Sequence, residues 1–567
     1  MKRIELTKKR IILLCGFLAT FVIGTVLIFN VPLSVKATYN NSVQTTDGVI
    51  ISFNVFEPRS GGMNKPAFII GHGFMANKEM LKGYALELAA AGFVAVPFDF
   101  RGHGQSTSGD TNAMFKDILA IKEYLNTRSD IDMNSLGYIG YSMGGLGQSV
   151  IHNDTAFKCF IGIGTSLYDA LRNGSTTNNL DVLMIQALFD EAVDLYTLKN
   201  VVANRTGFPI SSVYTNKIYG SFEHGNATMI YLDDDSNHLK VAWDQDFIRE
   251  AKDWAINSFD IDVVDENFYV NLRAIILLIQ VIGGIGFFFL TIEPFSKLIL
   301  FKKEEIERDL EIKFYKIDTP DISIKNISVR TLAYSLLLGI LGIIIFIPIM
   351  LILPLAIAGF VVTLLFGQVF GLLILIWRIG KKEKLSFRDI LKKPFGGGRT
   401  KLLRELALGV ILTTILYIIA YVSIGLNYLA LLPSIDKIWT IPIFFVIYFV
   451  VILIQNMLMQ MIVQNKFSDS LKNNLKVVFL GFIFPFLYFF VYLLIVAGIT
   501  RSFFYFGVFL PIAIIMFILT SAVSVITYKK TGNIISASVI NAILSTFLVI
   551  TMSPPLGGLA FILSRFF

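Results

Sequence analysis

Charge is scarce in this sequence. Asp, Glu, Lys and Arg make up only 16% of its 567 residues, where a soluble domain carries roughly a quarter. That deficit excludes a soluble globular protein, a disordered chain and a coiled coil. Cysteine is nearly absent as well. Cys15 lies in an apolar run and Cys159 in a predicted buried strand, so there is no disulfide framework and no metal-ligand spacing. The net charge of +7 does not signify nucleic acid, because the basic residues gather in short loops between apolar runs. What abounds is hydrophobicity: 54% of residues, including 50 Phe and 15 Met, with a mean hydropathy of +0.66.

The hydrophobicity is unevenly spread. Residues 1–10 are basic and residues 11–32 almost wholly apolar. Residues 37–265 read as an ordinary soluble domain. Eight further apolar runs follow, near 272–293, 331–353, 355–377, 405–425, 440–463, 477–498, 504–527 and 533–553. About 20 apolar residues span a hydrocarbon core as a helix. The expected organisation is therefore an anchor over 1–36, a soluble domain over 37–265, and a polytopic all-α membrane domain over 266–567. The first run exceeds the usual length of a signal-peptide core, which favours a retained anchor. Cleavage near Val35-Lys36-Ala37 is the alternative.

Orientation follows from the loops. The loop at 378–404 carries ten Lys and Arg residues, and the loop at 528–532 carries Lys529 and Lys530. The opposing loops hold little beyond Lys437 and Arg501. The positive-inside rule then puts the N-terminus and the loops at 294–330, 378–404, 464–476 and 528–532 in the cytoplasm. The soluble domain is expected outside the cell membrane, in contact with membrane lipids. Ionisable side chains are almost missing from the spans beyond residue 330, which speaks against a proton relay or ion path. Gln368, Gln455, Asn456, Gln460 and Asn541 occur there instead, as expected of hydrogen bonds between helices.

Within the soluble domain, strand-like runs at 49–57, 66–72, 93–99, 136–141, 157–164, 181–187 and 227–233 alternate with helical patterns. Such alternation predicts a mostly parallel sheet with helices on both faces and sites at the carboxyl ends of the strands. Gly140-Tyr141-Ser142-Met143-Gly144 ends one strand and opens a predicted helix. A sharp turn there leaves no room for flanking side chains, so Gly140 and Gly144 let the Ser142 hydroxyl project as a nucleophile. The plainer reading is a helix-capping serine.

Together with Gly71-His72-Gly73-Phe74 and Asp99-Phe100-Arg101-Gly102-His103-Gly104, this elbow resembles the α/β-hydrolases. The branches it is most similar to are the serine-aminopeptidase/monoglyceride-lipase and dienelactone-hydrolase ones. The resemblance implies a triad in the chain order serine, acid, histidine. Of five histidines, His224 and His238 follow the acid position. His238, just after the last strand, stands where the family's histidine stands. Asp190 follows the strand at 181–187 as the family's acid does, with Glu191 as fallback. Backbone N–H groups of Phe74 and Met143 would form the oxyanion hole, with His72 and the 99–104 loop shaping the site. The short stretch between the strands at 157–164 and 181–187 leaves no space for a large lid. The implied protein is a cofactor-free, metal-free serine hydrolase of esters, including lipid-derived ones, or of amides. A peptidase of the serine-aminopeptidase type, and a transporter or scaffold with a non-catalytic hydrolase-like domain, are the alternatives.

A fainter resemblance touches the membrane domain. Thr531-Gly532-Asn533-Ile534-Ile535 leading to Asn541, with Gln455-Asn456 upstream, is similar to the intramembrane CAAX proteases. Carboxamides replace that family's glutamates and histidine, which implies a relative without a metal.

Overall fold

The computed structural model describes residues 8–167, 171–300, 316–317, 319, 322–353 and 355–554. About half of the loop expected over 294–330 (301–315, 318, 320 and 321) therefore lies outside the described residues.

The soluble part is built on one eight-stranded sheet. Its strands are β1 (Val35–Gln44), β2 (Ile50–Pro58), β3 (Lys65–Gly71), β4 (Val94–Phe98), β5 (Ile131–Tyr141), β6 (Phe157–Ile163), β7 (Asp181–Phe189) and β8 (Thr228–Asn237). The order is β1-β2-β4-β3-β5-β6-β7-β8. β1 and β2 run antiparallel, as do β2 and β4, and every other pair is parallel. β1 is additional to the seven strands expected. Its polar sequence VKATYNNSVQ alternates burial residue by residue, as suits an edge strand. The central strands are buried on both faces, so they read as unbroken apolar runs.

Helices cover both faces. α1 (Lys8–Asn30) precedes the domain; α2 (Lys82–Ala91) and α6 (Gln245–Phe259) share one apolar core. α3 (Phe115–Asn126), α4 (Gln148–Ile151) and α5 (Leu195–Thr206) share the core on the opposite face. Asp244 caps α6 by accepting the Asp246 N–H, which fixes where the chain leaves β8 and turns into the helix. β6 ends at Ile163 and β7 begins at Asp181, so no lid domain is inserted between them.

Eight long apolar helices follow α6 among the described residues, and α7 (Val270–Leu300) is the first. The rest are α8 (Ile324–Ile352), α9 (Ala356–Lys382), α10 (Gly398–Ala420), α11 (Ile441–Leu458), α12 (Leu471–Thr500), α13 (Phe504–Thr531) and α14 (Ile535–Met552). With α1 and α7, nine helices among the described residues are long and apolar enough to cross a membrane. α1 lies along α7, where Gln280 donates to Thr25 Oγ1 at 2.9 Å and Arg273 to Ile28 O at 2.7 Å. α8 lies along α9, α12 along α13, and α14 against α10 and α11. Glu293 gathers Arg10, Lys297 and Lys530 into one ion cluster, so the N-terminal segment and the basic 528–532 loop share one end of the bundle. The domain that carries the sheet sits at the other end, against Asn427, Asp436 and Phe504.

Candidate active site

β5 delivers Ser142 on a turn with φ +50, a left-handed conformation that is strained for a serine. The flanking glycines are required by close approach. A Cβ on Gly140 would lie 2.6 Å from Gly144 O, and one on Gly144 would lie 2.2 Å from Gly71 O. Tyr138 locks the turn from below, its hydroxyl donating to Gly144 O at 2.7 Å. Thr165, just beyond β6, donates to Ser142 O at 2.7 Å. The expected helix after Ser142 starts as a 3₁₀ turn over Ser142–Gly147 and becomes α-helical only at α4. The tight contacts of Gly144, Gly145 and Gly147 with Gly71, Thr165 and Tyr138 account for the narrower winding.

The structure brings Ser142, His238 and Asp190 together. His238 follows β8, and its Nε2 lies 3.0 Å from Ser142 Oγ. Its Nδ1 lies 3.0 Å from each carboxylate oxygen of Asp190, which follows β7. Asp190 is itself oriented, since the Ala192 and Val193 N–H groups donate to its Oδ1 at 2.8 and 3.0 Å. Glu191 does something different: it accepts the backbone N–H of His238 at 3.2 Å, and burial pushes its carboxyl above the usual range. Tyr141 holds His238 from the other side, donating to His238 O at 2.8 Å. Sequence reasoning missed these supports of Glu191, Tyr141 and Thr165. The one local signal was their position, each at or just beyond the carboxyl end of a strand.

Phe74 follows β3, beside the elbow. A Cβ on the preceding Gly73 would lie 3.0 Å from Ser142 Cβ, so the Phe74 backbone passes next to the serine. Met143 is the second residue of the 3₁₀ turn, where an N–H has no intrahelical acceptor. The backbones of both residues thus lie beside Ser142.

The remaining histidines are engaged elsewhere. His72 is fully buried, its Nδ1 2.7 Å from Gly73 O and its Nε2 accepting the Phe100 N–H at 3.0 Å. Burial lowers its pKa to about 4, and that of buried His103 to about 3, so both stay neutral at pH 7. Asp99 ties this loop together. It accepts the Lys78 ammonium at 2.7 Å and the Gln105 N–H at 2.9 Å. Burial raises the Asp99 carboxyl, but its ion pair with Lys78 and its other polar contacts together hold the group below its ordinary value. His224 is an exposed loop residue bonded to Ser221, and His152 is exposed.

The site is roofed by the helical bundle. The Phe504 ring, at the start of α13, meets the His238 ring edge-on at 5.7 Å between centroids. One turn on, Gly507 leaves room for Glu191, whose Oε1 would be 2.2 Å from a Cβ there. Phe74 and Met75 pack in one apolar cluster with Leu429, Leu431, Phe504 and Phe509. Polar contacts fasten the rim. Lys82 donates to Leu426 O and Asn427 Oδ1 at 3.0 and 2.8 Å, and the Ser108 N–H donates to Asp436 at 2.7 Å.

Deeper in the bundle the carboxamides converge. Gln368, Gln455, Asn456, Gln460 and Asn541 line one cavity of about 50 Å³. Gln455 donates to Gln368, Asn456 to Ser538 and Asn541 to Ser524, each within 3.0 Å and each across helices.

Comparison with known proteins agrees with this architecture. Residues 62–196 match the family described as serine aminopeptidase, S33. An uncharacterized protein of Mycobacterium tuberculosis is 30% identical over 103 residues, which cover 18% of this chain and 36% of that one. An uncharacterized 31.7 kDa protein from the traX-finO intergenic region of Escherichia coli is 29% identical over 124 residues, covering 20% and 42%. The chain thus spans well under half the length of these curated relatives. Among solved structures, the esterase Pf2001 of Pyrococcus furiosus is similar at 15% identity and a TM-score of 0.32, over 40% of this chain and 94% of that one. The α/β hydrolase GrgF from Penicillium is similar at 10% identity and a TM-score of 0.30, over 40% and 99%. The N-terminal domain has the α/β-hydrolase fold, and the family match supports a hydrolase of the α/β type.

Proposed function

We propose that this chain is a membrane-bound serine hydrolase that cleaves an ester through an acyl-enzyme on Ser142. The observation that carries the reading is the relay Ser142 Oγ–His238 Nε2–Asp190, with both links at 3.0 Å. His238 takes the serine proton as Oγ attacks the carbonyl carbon. The Phe74 and Met143 N–H groups receive the negative charge that develops on the carbonyl oxygen. The C–O bond to the alcohol then breaks, and His238 returns the proton to the leaving oxygen. Water repeats the cycle on the acyl-enzyme and releases the acid. Asp190 keeps the His238 Nδ1–H aimed away from the serine and stabilises the imidazolium. No step needs a metal or a cofactor from the residues present.

An amide substrate is the second reading, and the matched family's description favours it. A scaffold with an inert hydrolase-like domain is disfavoured, because elbow, base and acid are all in bonding positions. The direct test is hydrolysis of ester and aminoacyl-amide panels by the full-length protein and its Ser142→Ala and His238→Ala variants. Each substitution should lower kcat by roughly 10³-fold or more. Equal rates in Ser142→Ala would remove the mechanism, and a higher kcat/KM on the amides would shift the reading to a peptidase.

The proposed orientation places the basic loops in the cytoplasm and the hydrolase domain outside. Its support is the common end shared by Arg10, Glu293 and Lys530, opposite the hydrolase domain. The bonds of α1 to Arg273 and Gln280 support a retained anchor over a cleaved signal. The cluster of carboxamides supports kinship with a metal-free CAAX-protease relative, in which they tie helices together.

A further inference from the structure

Beyond the roof over Ser142 lies a second cavity. It measures about 100 Å³ and lies between α9, α11, α12, α13 and α14, at the end of the bundle that meets the hydrolase domain. Its walls are apolar except for Ser545 and the Tyr448 phenol. Among the described residues, Met75 is the one lining residue from the hydrolase domain, and it directly follows the proposed oxyanion donor Phe74.

The helices set where its lining residues lie. Ile357, Val361 and Leu365 line it from one face of α9, and α13 contributes a face from Phe509 to Phe517. Phe504, which touches His238, opens the same helix. At 1.5 Å per residue, the α13 residues that line the cavity lie from ~8 to ~20 Å beyond Phe504 along the helix axis. An extended alkyl chain advances ~1.3 Å per carbon, given C–C bonds near 1.5 Å. A chain held at Ser142 and running along that axis would reach the first of these residues after about six carbons.

We propose that this cavity houses the acyl chain of a long-chain ester, so that the membrane domain supplies the acyl-binding subsite of the hydrolase. This deepens the serine-hydrolase reading and rests on it. The acyl side is assigned by the chemistry of the relay. His238 must protonate the leaving alcohol, so the alcohol departs past His238. The acyl group stays on Ser142 beside the oxyanion donors, and Met75 joins that side to the cavity. A tail in the cavity exchanges lipid or water for apolar protein, while the ester stays at the polar rim.

The test uses full-length protein in detergent with p-nitrophenyl esters from acetate to palmitate. The ratio of kcat/KM for the C14 ester to that for the C4 ester should fall at least tenfold in Ala513→Phe, which fills the cavity. Labelling by a short fluorophosphonate reports that the variant still holds its triad. Methyl laurate should be cleaved faster than lauryl acetate. A wild-type readout covers the case of a variant that does not fold. A C14 alkyl fluorophosphonate with a terminal diazirine is attached to Ser142, irradiated and mapped by mass spectrometry. Crosslinks in α9, α13 or α14 are expected. A tail that labels none of these helices, an unchanged C14:C4 ratio in folded Ala513→Phe, or faster cleavage of lauryl acetate overturns the acyl-subsite proposal while labelling of Ser142 still stands. Failure of the fluorophosphonate to label wild-type Ser142 overturns the serine-hydrolase reading beneath it.

Discussion

Asp190 and Glu191 are neighbours with different work, and a pair of isosteric substitutions separates them. In Asp190→Asn the amide oxygen should keep the Oδ1 position, because the Ala192 and Val193 N–H groups donate there at 2.8 and 3.0 Å. The amide NH₂ then takes the Oδ2 position, 3.0 Å from His238 Nδ1. The Nδ1–H can still reach Oδ1, also 3.0 Å away, but the NH₂ beside it favours the tautomer in which Nδ1 accepts. In that tautomer the proton sits on Nε2, which can no longer accept from Ser142. The wrong tautomer in such a triad costs about 10⁴-fold in kcat, or about 5.5 kcal/mol of transition-state stabilisation. Glu191→Gln retains a side-chain oxygen for the His238 backbone N–H, so the imidazole keeps its position and its tautomer. Its expected effect is under about tenfold, the order of one ordinary hydrogen bond. Steady-state kinetics on a soluble ester, with thermal unfolding to verify folding, reads both. A silent Asp190→Asn beside a crippled Glu191→Gln would refute the assignment, and equal losses would refute the tautomer argument.

Other predictions rest on different parts of the molecule. Gly144→Ala should abolish fluorophosphonate labelling, because its Cβ would sit 2.2 Å from Gly71 O in the core of the elbow. Lys82→Ala should lower stability by about 3 kcal/mol in detergent melts, since it strands Leu426 O at the rim and empties a buried site. Asp181 is buried, with Oδ2 unpartnered, and burial raises its pKa to about 7. Its folded form holds a proton between pH 4 and 7 that the unfolded chain has lost, so this group's stabilising contribution falls as pH rises through that window. Asp181→Asn should therefore raise Tm more at pH 8 than at pH 4, and an equal gain at both would contradict the linkage. For orientation, Ser175→Cys in a Cys15→Ser background should react with an impermeant thiol reagent in intact cells, and Gly397→Cys only after permeabilisation. The reverse pattern would move the hydrolase domain to the cytoplasm.

The parts of the site legible in sequence are those fixed by local geometry. Ser142 stood out because its turn demands glycine on both flanks, whereas His238 and Asp190 were pointed to by the family resemblance and its order of serine, acid and histidine. The spans were legible because about 20 apolar residues have few other uses. β1 was hidden by its polar face at the sheet edge. The 3₁₀ start after Ser142 depends on Gly71, Thr165 and Tyr138, which approach from three other places in the chain. The roof was least legible: His238 and Phe504 belong to separate domains, and nothing in either segment's periodicity encodes their contact. Glu191 shows the same limit, since its place on the His238 backbone N–H is set by how β7 and β8 lie side by side.

The central claim is that Ser142 carries the acyl group. Incubating the full-length protein with a fluorophosphonate and digesting it for peptide mass spectrometry tests this most directly. The account predicts one stoichiometric adduct on Ser142, absent from Ser142→Ala and strongly slowed in His238→Ala. An adduct on another residue, or none on folded wild-type protein, would contradict it.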